Sequence, residues 1–397
     1  MADKAMQFEH ITTDQQLHDF CESIAAAKLV AFDTEFVSED TYRPELCLVQ
    51  LAAGGQLAIV DPQPIEDLSP LWDVLCDPDR EIIVHSAREE FHFCLRLAGR
   101  RPGRLFDVQI AAGFVGLEYP ASLKNLVAQV VNETLPKGET RTDWRRRPLS
   151  KRQLEYAMFD VVHLERVRDK LAKRLDKLGR FEWFREEMLA WQDDQEAAEA
   201  RERWRRVSGV SGLKPRALAI VRELWRWREA EAKRRDQPPK RVLRDDLIVE
   251  LARRGTSDVK RIRALRGLER GYLQRHLPTI AASIERANNT PDDELPKSQR
   301  RETPQKLTVV GQFLATIVSS ICRSSKIAPG LVATVQDVRD LVSYQLGVNG
   351  PIDEPPALAH GWRAEIVGNA VEEMLNGKVS VRIDDALSDD PLILERR

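Results

Sequence analysis

An apolar run that carries two acids, LVAFDTEF at residues 29–36, constrains this chain more than any other segment. Its β-branched and aromatic content predicts a strand. Side chains alternate along a strand, so Asp33 and Glu35 project from the same side. Two carboxylates on one face of a hydrophobic strand are costly unless a cation neutralises them or water reaches them. Two readings stay open from the residues alone. One is a solvated sheet edge; the other is a site for a hard divalent cation, which takes carboxylate oxygens together with water and phosphate.

The flanking patterns predict a mixed α/β domain over residues 1–195. LCLVQLAA (46–53) and QLAIVD (56–61) form a hairpin pattern around Gly54-Gly55, which supplies the turn. EIIVH (81–85) and LFDVQ (105–109) are further short strands. Helical patterns fit residues 65–77, 87–98, 109–117 and 122–132, and one long helix is expected from Ser150 to about Gly179. Strands alternating with helices imply a mixed sheet with helices on its faces. A solvated connector near 192–200 leads to a segment, 201–288, that is helical throughout. A Pro-, Asn- and charge-rich linker follows at 289–305, and residues 306–397 are again mostly helical.

Net charge, taken whole, misleads. The 397 residues carry 61 Lys and Arg against 63 Asp and Glu, a formal charge of -2. Divided, residues 1–200 hold 25 basic and 36 acidic residues, a net of -11. Residues 201–290 hold 24 and 11, a net of +13, and residues 291–397 hold 12 and 16, a net of -4. An acidic domain beside a strongly basic helical one suits carboxylate chemistry joined to a module that grips a polyanion. Five scattered cysteines, none in a CxxC pair, point to buried structural thiols. No run approaches roughly 18 uninterrupted apolar residues, and MADKAMQFEH lacks a secretory pattern, so no membrane association and a cytoplasmic location are expected.

Three further groups carry chemistry. Tyr156 and Asp160 share a helix face in LEYAMFDVVHL, a weak signal alone. In His85-Ser86-Ala87-Arg88-Glu89-Glu90, Ser86 and Glu89 fit a capping box, which gives Glu89 a structural task. Glu90 then either faces a site across the sheet or favours the helix dipole. The segment RTDWRRRPLSKR (141–152) sets six basic residues around Trp144, which suits either phosphate contact with base stacking or a solvated loop with a core Trp.

The ordered set FDTEF, HSAREEF, RTDW (141–144) and Y-x-x-x-D resembles the ribonuclease D family, in the tyrosine-containing subgroup of the DEDD exonuclease superfamily. It spans roughly residues 25–170. The resemblance implies an RNase H-like fold, two divalent metal ions (Mg2+ or Mn2+), and 3′→5′ release of nucleoside 5′-monophosphates. Carried over, Asp33 bridges both metals, while Glu35 and Asp160 complete the ligands of the first. Glu35 also positions the terminal nucleotide, and Tyr156 orients the attacking water. His85 reads as structural. Arg141, Trp144, Arg145, Arg146 and Arg147 become candidate RNA contacts.

GLKPRALAIVRELWRWREAEAKRRDQPPKRVLRDDLIVELARRG, within 201–288, resembles the helicase-and-RNase-D C-terminal (HRDC) domain. The expected architecture is therefore an α/β RNase H-like exonuclease domain followed by two all-α domains, HRDC and HRDC-like. Structured RNA with a 3′ extension, tRNA precursors among it, is the implied partner of a monomer.

One position departs from the family pattern, which has Asp where this chain has Glu90. The extra methylene moves the carboxylate by about 1.5 Å. Asp107, in LFDVQ, is the nearest other acid at a strand end, and the family pattern makes it structural. The resemblance assigns the second metal to Glu90. Two alternatives stand beside the exoribonuclease: a DNA exonuclease on the same fold, and an RNA-binding protein whose catalysis Glu90 impairs.

Overall fold

The computed structural model describes residues 6–136, 142–268, 271–297, 305–348, 355–388 and 390–396. They divide into two compact units. One comprises Met1–Glu35, Leu46–Glu196 and Thr303–Arg397; the other comprises Phe36–Glu45 and Ala197–Glu302.

The first unit is built on six strands: β1 (Glu9–Ile11), β2 (Leu29–Val37), β3 (Glu45–Ala53), β4 (Gln56–Val60), β5 (Glu81–Val84) and β6 (Arg104–Asp107). Their order across the sheet is β1-β4-β3-β2-β5-β6, which puts the acidic strand β2 in the interior of the sheet, not at its edge. β3 and β4 are antiparallel, and Gly54 and Gly55 both take positive φ, as a tight two-residue hairpin demands. β2, β5 and β6 run parallel, with Ala31 opposite Ile83 and Val84 opposite Asp107. The carboxyl ends of these three strands therefore lie along one rim, where α/β sheets place their ligands. Val30, Phe32, Leu48, Leu51, Ile59 and Ile82 are fully buried and fix the register.

Around the sheet lie α1 (Asp14–Ser23), α2 (Ser69–Leu75), α3 (Arg88–Phe93), α4 (Val108–Phe114), α5 (Leu123–Val131), α6 (Lys151–Phe159), α7 (Leu164–Lys177) and α8 (Phe181–Ala200). The long helix expected from Ser150 is thus two. A Ser150/Gln153 capping box starts α6, and the chain turns through residues 160–163 before α7. Asp160, Val161, Val162 and His163 are all weak helix formers, which sets the break there.

In the second unit, α9 (Pro215–Arg235), α10 (Pro239–Val242), α11 (Asp245–Arg254), α12 (Val259–Arg263) and α13 (Gly271–Asn288) enclose an aliphatic core around Ile220, Leu224, Ile248 and Ile280. Arg228 is buried within it and donates to Asp245 at 2.6 Å.

The C-terminal segment belongs to the same compact unit as the exonuclease domain, and it is mostly helical, as expected. Beyond α14 (Gln305–Ser324), α15 (Pro329–Val332) and α16 (Val335–Gln345), it ends in an antiparallel pair, β7 (Val379–Ile383) and β8 (Leu392–Arg396). Buried polar contacts hold it. Arg180, 7% exposed, donates to the carbonyls of Phe114 (2.8 Å), Lys326 (2.7 Å) and Ser325. Arg363 forks onto Glu187 at 2.6 and 2.8 Å, and the Trp362 ring packs 4.8 Å from Phe114. At Gly116, φ is positive and a Cβ would stand 2.9 Å from the Lys326 backbone. None of these contacts has a sequence periodicity.

Residues Leu307–Ser324 of α14 are long and apolar enough, by length and composition, to cross a membrane. The segment is not an uninterrupted apolar run, since Gln312, Thr316, Ser319, Ser320 and Arg323 fall within it. Its inward side, including Leu314, Ile317 and Val318, is buried in the unit.

Replacing Arg180 with Met leaves three carbonyls without their donor. Urea unfolding should show a loss of about 3 kcal/mol, in the range expected when buried polar groups lose their partners.

Candidate active site

Four acids converge on the rim formed by the strand ends. Asp33 and Glu35 come from β2, Glu90 from α3, and Asp160 from the residue that caps α6. Burial and then the charges of Glu90, Asp160 and Glu35 hold the Asp33 carboxyl well above the usual carboxylate range. Glu35 is pushed up to about 8 by burial, with Asp160 and Glu90 adding to it. Burial raises Glu90 to about 7 and Asp160 to about 7. The break after α6 is what permits this. It ends the helix on Asp160, whose backbone N–H closes onto Ala157 and Met158.

The residues fit a hard divalent cation by the chemistry of their donors: carboxylate oxygens only, mutually repelling and partly withdrawn from water. Among the described residues no three His, Cys, Asp or Glu side chains form a ready-made cage. Burial raises all four acids, and the charges of the others add to it at Asp33 and Glu35, without the set closing into one. This pattern suits an ion that keeps several of its ligands from water and substrate.

Glu90 has a partner that the sequence did not announce. It is 5% exposed, and the Thr34 hydroxyl donates to its Oε1 at 2.7 Å. Thr34, between the two acids on β2, thereby fixes the longer carboxylate. Asp107 is occupied differently, as the family pattern implies. Its oxygens accept from the N–H groups of Ser86 (3.2 Å), Ala87 (2.9 Å) and Gln109 (2.8 Å).

The expected Ser86–Glu89 capping box does not form. Ser86 sits at φ 65°, α3 starts after Ala87 with no side-chain cap, and Asp107 holds the turn from across the sheet. Glu89 instead faces Arg96 at 3.6 Å. A left-handed serine gives no local sequence signal, which is why the box was the natural reading. His85 meets the Ala121 carbonyl through Nε2 at 2.9 Å.

Tyr156 stacks on Trp144, with ring centroids 6.3 Å apart and planes 23° from parallel. Trp144 is 5% exposed, so it supports Tyr156 and is not an open platform for a base. Arg147 is also committed. It donates to Asp61, to the Cys47 carbonyl at 2.9 Å and to the Trp144 carbonyl at 2.6 Å, which ties this loop to β3. Arg145 lies 3.1 Å from Asp143, and Arg146, 3.5 Å from the same acid, extends into solvent. Arg141 lies outside the described residues. Of the basic set expected to touch RNA, Arg146 is the described member that extends furthest into solvent.

Residues 8–176 match the family model described as 3′-5′ exonuclease, and residues 217–284 match the HRDC domain. The chain is 33% identical to ribonuclease D of Gluconacetobacter diazotrophicus, with 94% of each chain covered. It is 31% identical to ribonuclease D of Escherichia coli, over 93% of this chain and 99% of that one. The crystal structure of Escherichia coli RNase D, described as an exoribonuclease involved in structured RNA processing, superposes with a TM-score of 0.80 at 30% identity. That superposition covers 94% of this chain and 99% of the other.

Raised carboxyl pKa values have a thermodynamic consequence. The folded chain binds protons more tightly than the unfolded chain between pH of about 4 and about 8. These acids therefore favour folding below that window and oppose it increasingly as pH rises through it. In chelator, the melting temperature should fall on the order of 5 °C across the window. Asp33→Asn should flatten the fall, and a divalent cation should reverse it. A pH-independent melting curve would contradict the like-charge cluster.

Proposed function

The chain belongs to the ribonuclease D family and is a 3′→5′ exoribonuclease dependent on a divalent metal; on that premise we propose the roles of its residues and the nature of its substrate. The observation that carries the assignment is the convergence of Asp33, Glu35, Glu90 and Asp160 on one rim, where the charges of Glu90 and Asp160 add to burial in raising Asp33 and Glu35.

Asp33, Glu35, Glu90 and Asp160 would hold two divalent ions, Asp33 shared between them. When bound, the ions supply positive charge and Lewis acidity for the attacking water and the departing 3′ oxygen. Tyr156, fixed by its stack on Trp144, directs its hydroxyl to orient that water. Thr34 keeps Glu90 in place, so the longer side chain serves where the family pattern has Asp. Glu35 positions the terminal nucleotide, and Arg145 and Arg146 meet the phosphates just upstream.

The basic second unit would hold the body of a structured RNA, a tRNA precursor with a 3′ extension being the fitting case. Much of its charge is internally paired, as in Arg226 with Glu202 and Arg234 with Glu231. Arg253, Arg263, Arg266 and Arg275 extend into solvent without an ion pair among the described residues. Such residues contact phosphate, not base. A monomer acting in the cytoplasm completes the reading.

The test incubates 5′-labelled RNA and DNA with Mg2+ or Mn2+. Wild type should shorten RNA stepwise from its 3′ end. Asp33→Asn and Glu90→Gln should each lose at least about a hundredfold, beyond the effect expected of residues that only orient ligands. Glu90→Asp should keep measurable activity. Full activity in Glu90→Gln would remove Glu90 from the site, and faster shortening of DNA would overturn the RNA preference. Replacing Arg263 and Arg266 with Ala should lower the slope of log affinity against log salt by about 2, one for each phosphate that the variant leaves unneutralised.

A further inference from the structure

Many arginines of the second unit are matched to an acid of the same unit, as Arg216 is to Asp292, Arg234 to Glu231 and Arg254 to Glu250. One place departs from this. Where α10 and α11 meet the turn after α12, a cavity of about 410 Å3 is lined by Arg241, Arg244 and Arg266. Arg241 and Arg266 are exposed and have no ion pair among the described residues. Arg244 forks onto Asp246, the acid in the lining, at 3.1 and 2.8 Å. Three guanidinium groups against one carboxylate leave the cavity with a net of +2.

Its apolar lining includes Val242 and Leu247, both buried. Gly267 shapes the wall between the arginines. Its φ is +99°, and a Cβ there would stand 3.2 Å from Leu247 Cδ2 and 3.5 Å from Arg244 Nη2. Bare backbone at this position lets the Arg244 head lie against the chain beside Arg266, where any side chain would crowd it.

Cations gathered around one cavity repel one another, and an anion seated among them relieves the repulsion. The guanidinium fork matches phosphate oxygens two at a time. A phosphate monoester carries about −1.5 to −2 at neutral pH, which the net of +2 balances. An internal phosphodiester carries a single charge and balances only half of it. Volume agrees, since small-ligand sites occupy about 300 to 1,000 Å3. An RNA chain bears a monoester only at an end, and its 3′ end belongs to the exonuclease rim.

We propose that this cavity binds the 5′-terminal monophosphate of an RNA, with the phosphate on Arg241, Arg244 and Arg266 and the attached nucleoside against the buried aliphatic residues. The proposal rests on the reading that the second unit holds RNA. To that reading it adds recognition of one end of the chain, beyond general contact with the backbone.

Full-length Asp33→Asn enzyme with Mg2+ is titrated calorimetrically with one RNA sequence in three forms: 5′-monophosphate, 5′-hydroxyl and circular. The 5′-monophosphate form should bind on the order of tenfold more tightly than the 5′-hydroxyl form, the value of a charge-assisted contact. Circular RNA should bind like the 5′-hydroxyl form. Arg241→Gln and Arg244→Gln should each cut the preference at least about threefold. Both should still bind 5′-hydroxyl RNA, which reports that they are folded. Arg275→Gln, outside the cavity, should weaken both linear forms alike. Equal affinity for the two linear forms, or a preference that survives in both cavity variants, overturns the proposal. A preference abolished by free nucleoside 5′-monophosphate at the concentration of the RNA would give the cavity to the released mononucleotide and overturn the RNA end as its occupant. Failure to bind RNA in any form would instead count against the RNA-holding role of the second unit.

Discussion

Repulsion among buried carboxylates is the constraint on which the rest of this molecule turns. Two like charges about 4 Å apart repel by about 4 kcal/mol at the effective dielectric of a protein surface, against a total stability on the order of 10 kcal/mol. Asp33, Glu35, Glu90 and Asp160 are held on one rim by the well-packed scaffold beneath them. β2 is flanked on both sides in the sheet, and its neighbours contribute fully buried Leu48, Val49, Ile82 and Ile83. What the fold loses in this arrangement, a bound cation recovers. A site that is uncomfortable when empty of charge compensation is one with strong affinity for a divalent ion.

Each acid has a device that holds it where repulsion would drive it away. Asp33 and Glu35 are fixed by the strand. Asp160 is fixed by the end of α6, where the helix stops because its next residues form helix poorly. Glu90 depends on two contacts that differ in kind. Thr34 holds the carboxylate itself, while Asp107 organises the left-handed turn at Ser86 from which α3 departs. The chain thus accommodates Glu where the family pattern has Asp through a hydroxyl already present between the two strand acids.

Charge is divided between parts that do different work. The acidic exonuclease unit concentrates carboxylates at one rim, and the basic helical unit keeps exposed arginines without an ion pair among the described residues. The C-terminal segment joins neither task. Its net charge of -4 and its buried Arg180 and Arg363 contacts make it part of the body of the first unit. Carbonyl-directed hydrogen bonds from Arg180 join it to that unit, and they leave no periodic trace in a sequence.

By itself the sequence determined what depends on local repetition and on residue chemistry. Alternation along LVAFDTEF set Asp33 and Glu35 on one face, the glycine pair set the β3–β4 hairpin, and charge counting separated the units. Order and spacing of the motifs led to the expectation that Tyr156 and Asp160 serve the same site, and Asp160 does raise the pKa of Asp33 and Glu35. The tertiary structure alone decided matters that depend on partners distant in the chain. It replaced the Ser86–Glu89 box with a cap from Asp107, gave Glu90 the hydroxyl of Thr34, buried Trp144, and tied Arg147 to the Cys47 carbonyl, although the sequence had offered both to RNA. It also split the long helix at Asp160. A periodic pattern records which face of an element is buried, because burial acts on every turn. A single long-range hydrogen bond acts on one residue, and only the folded chain brings its partner near.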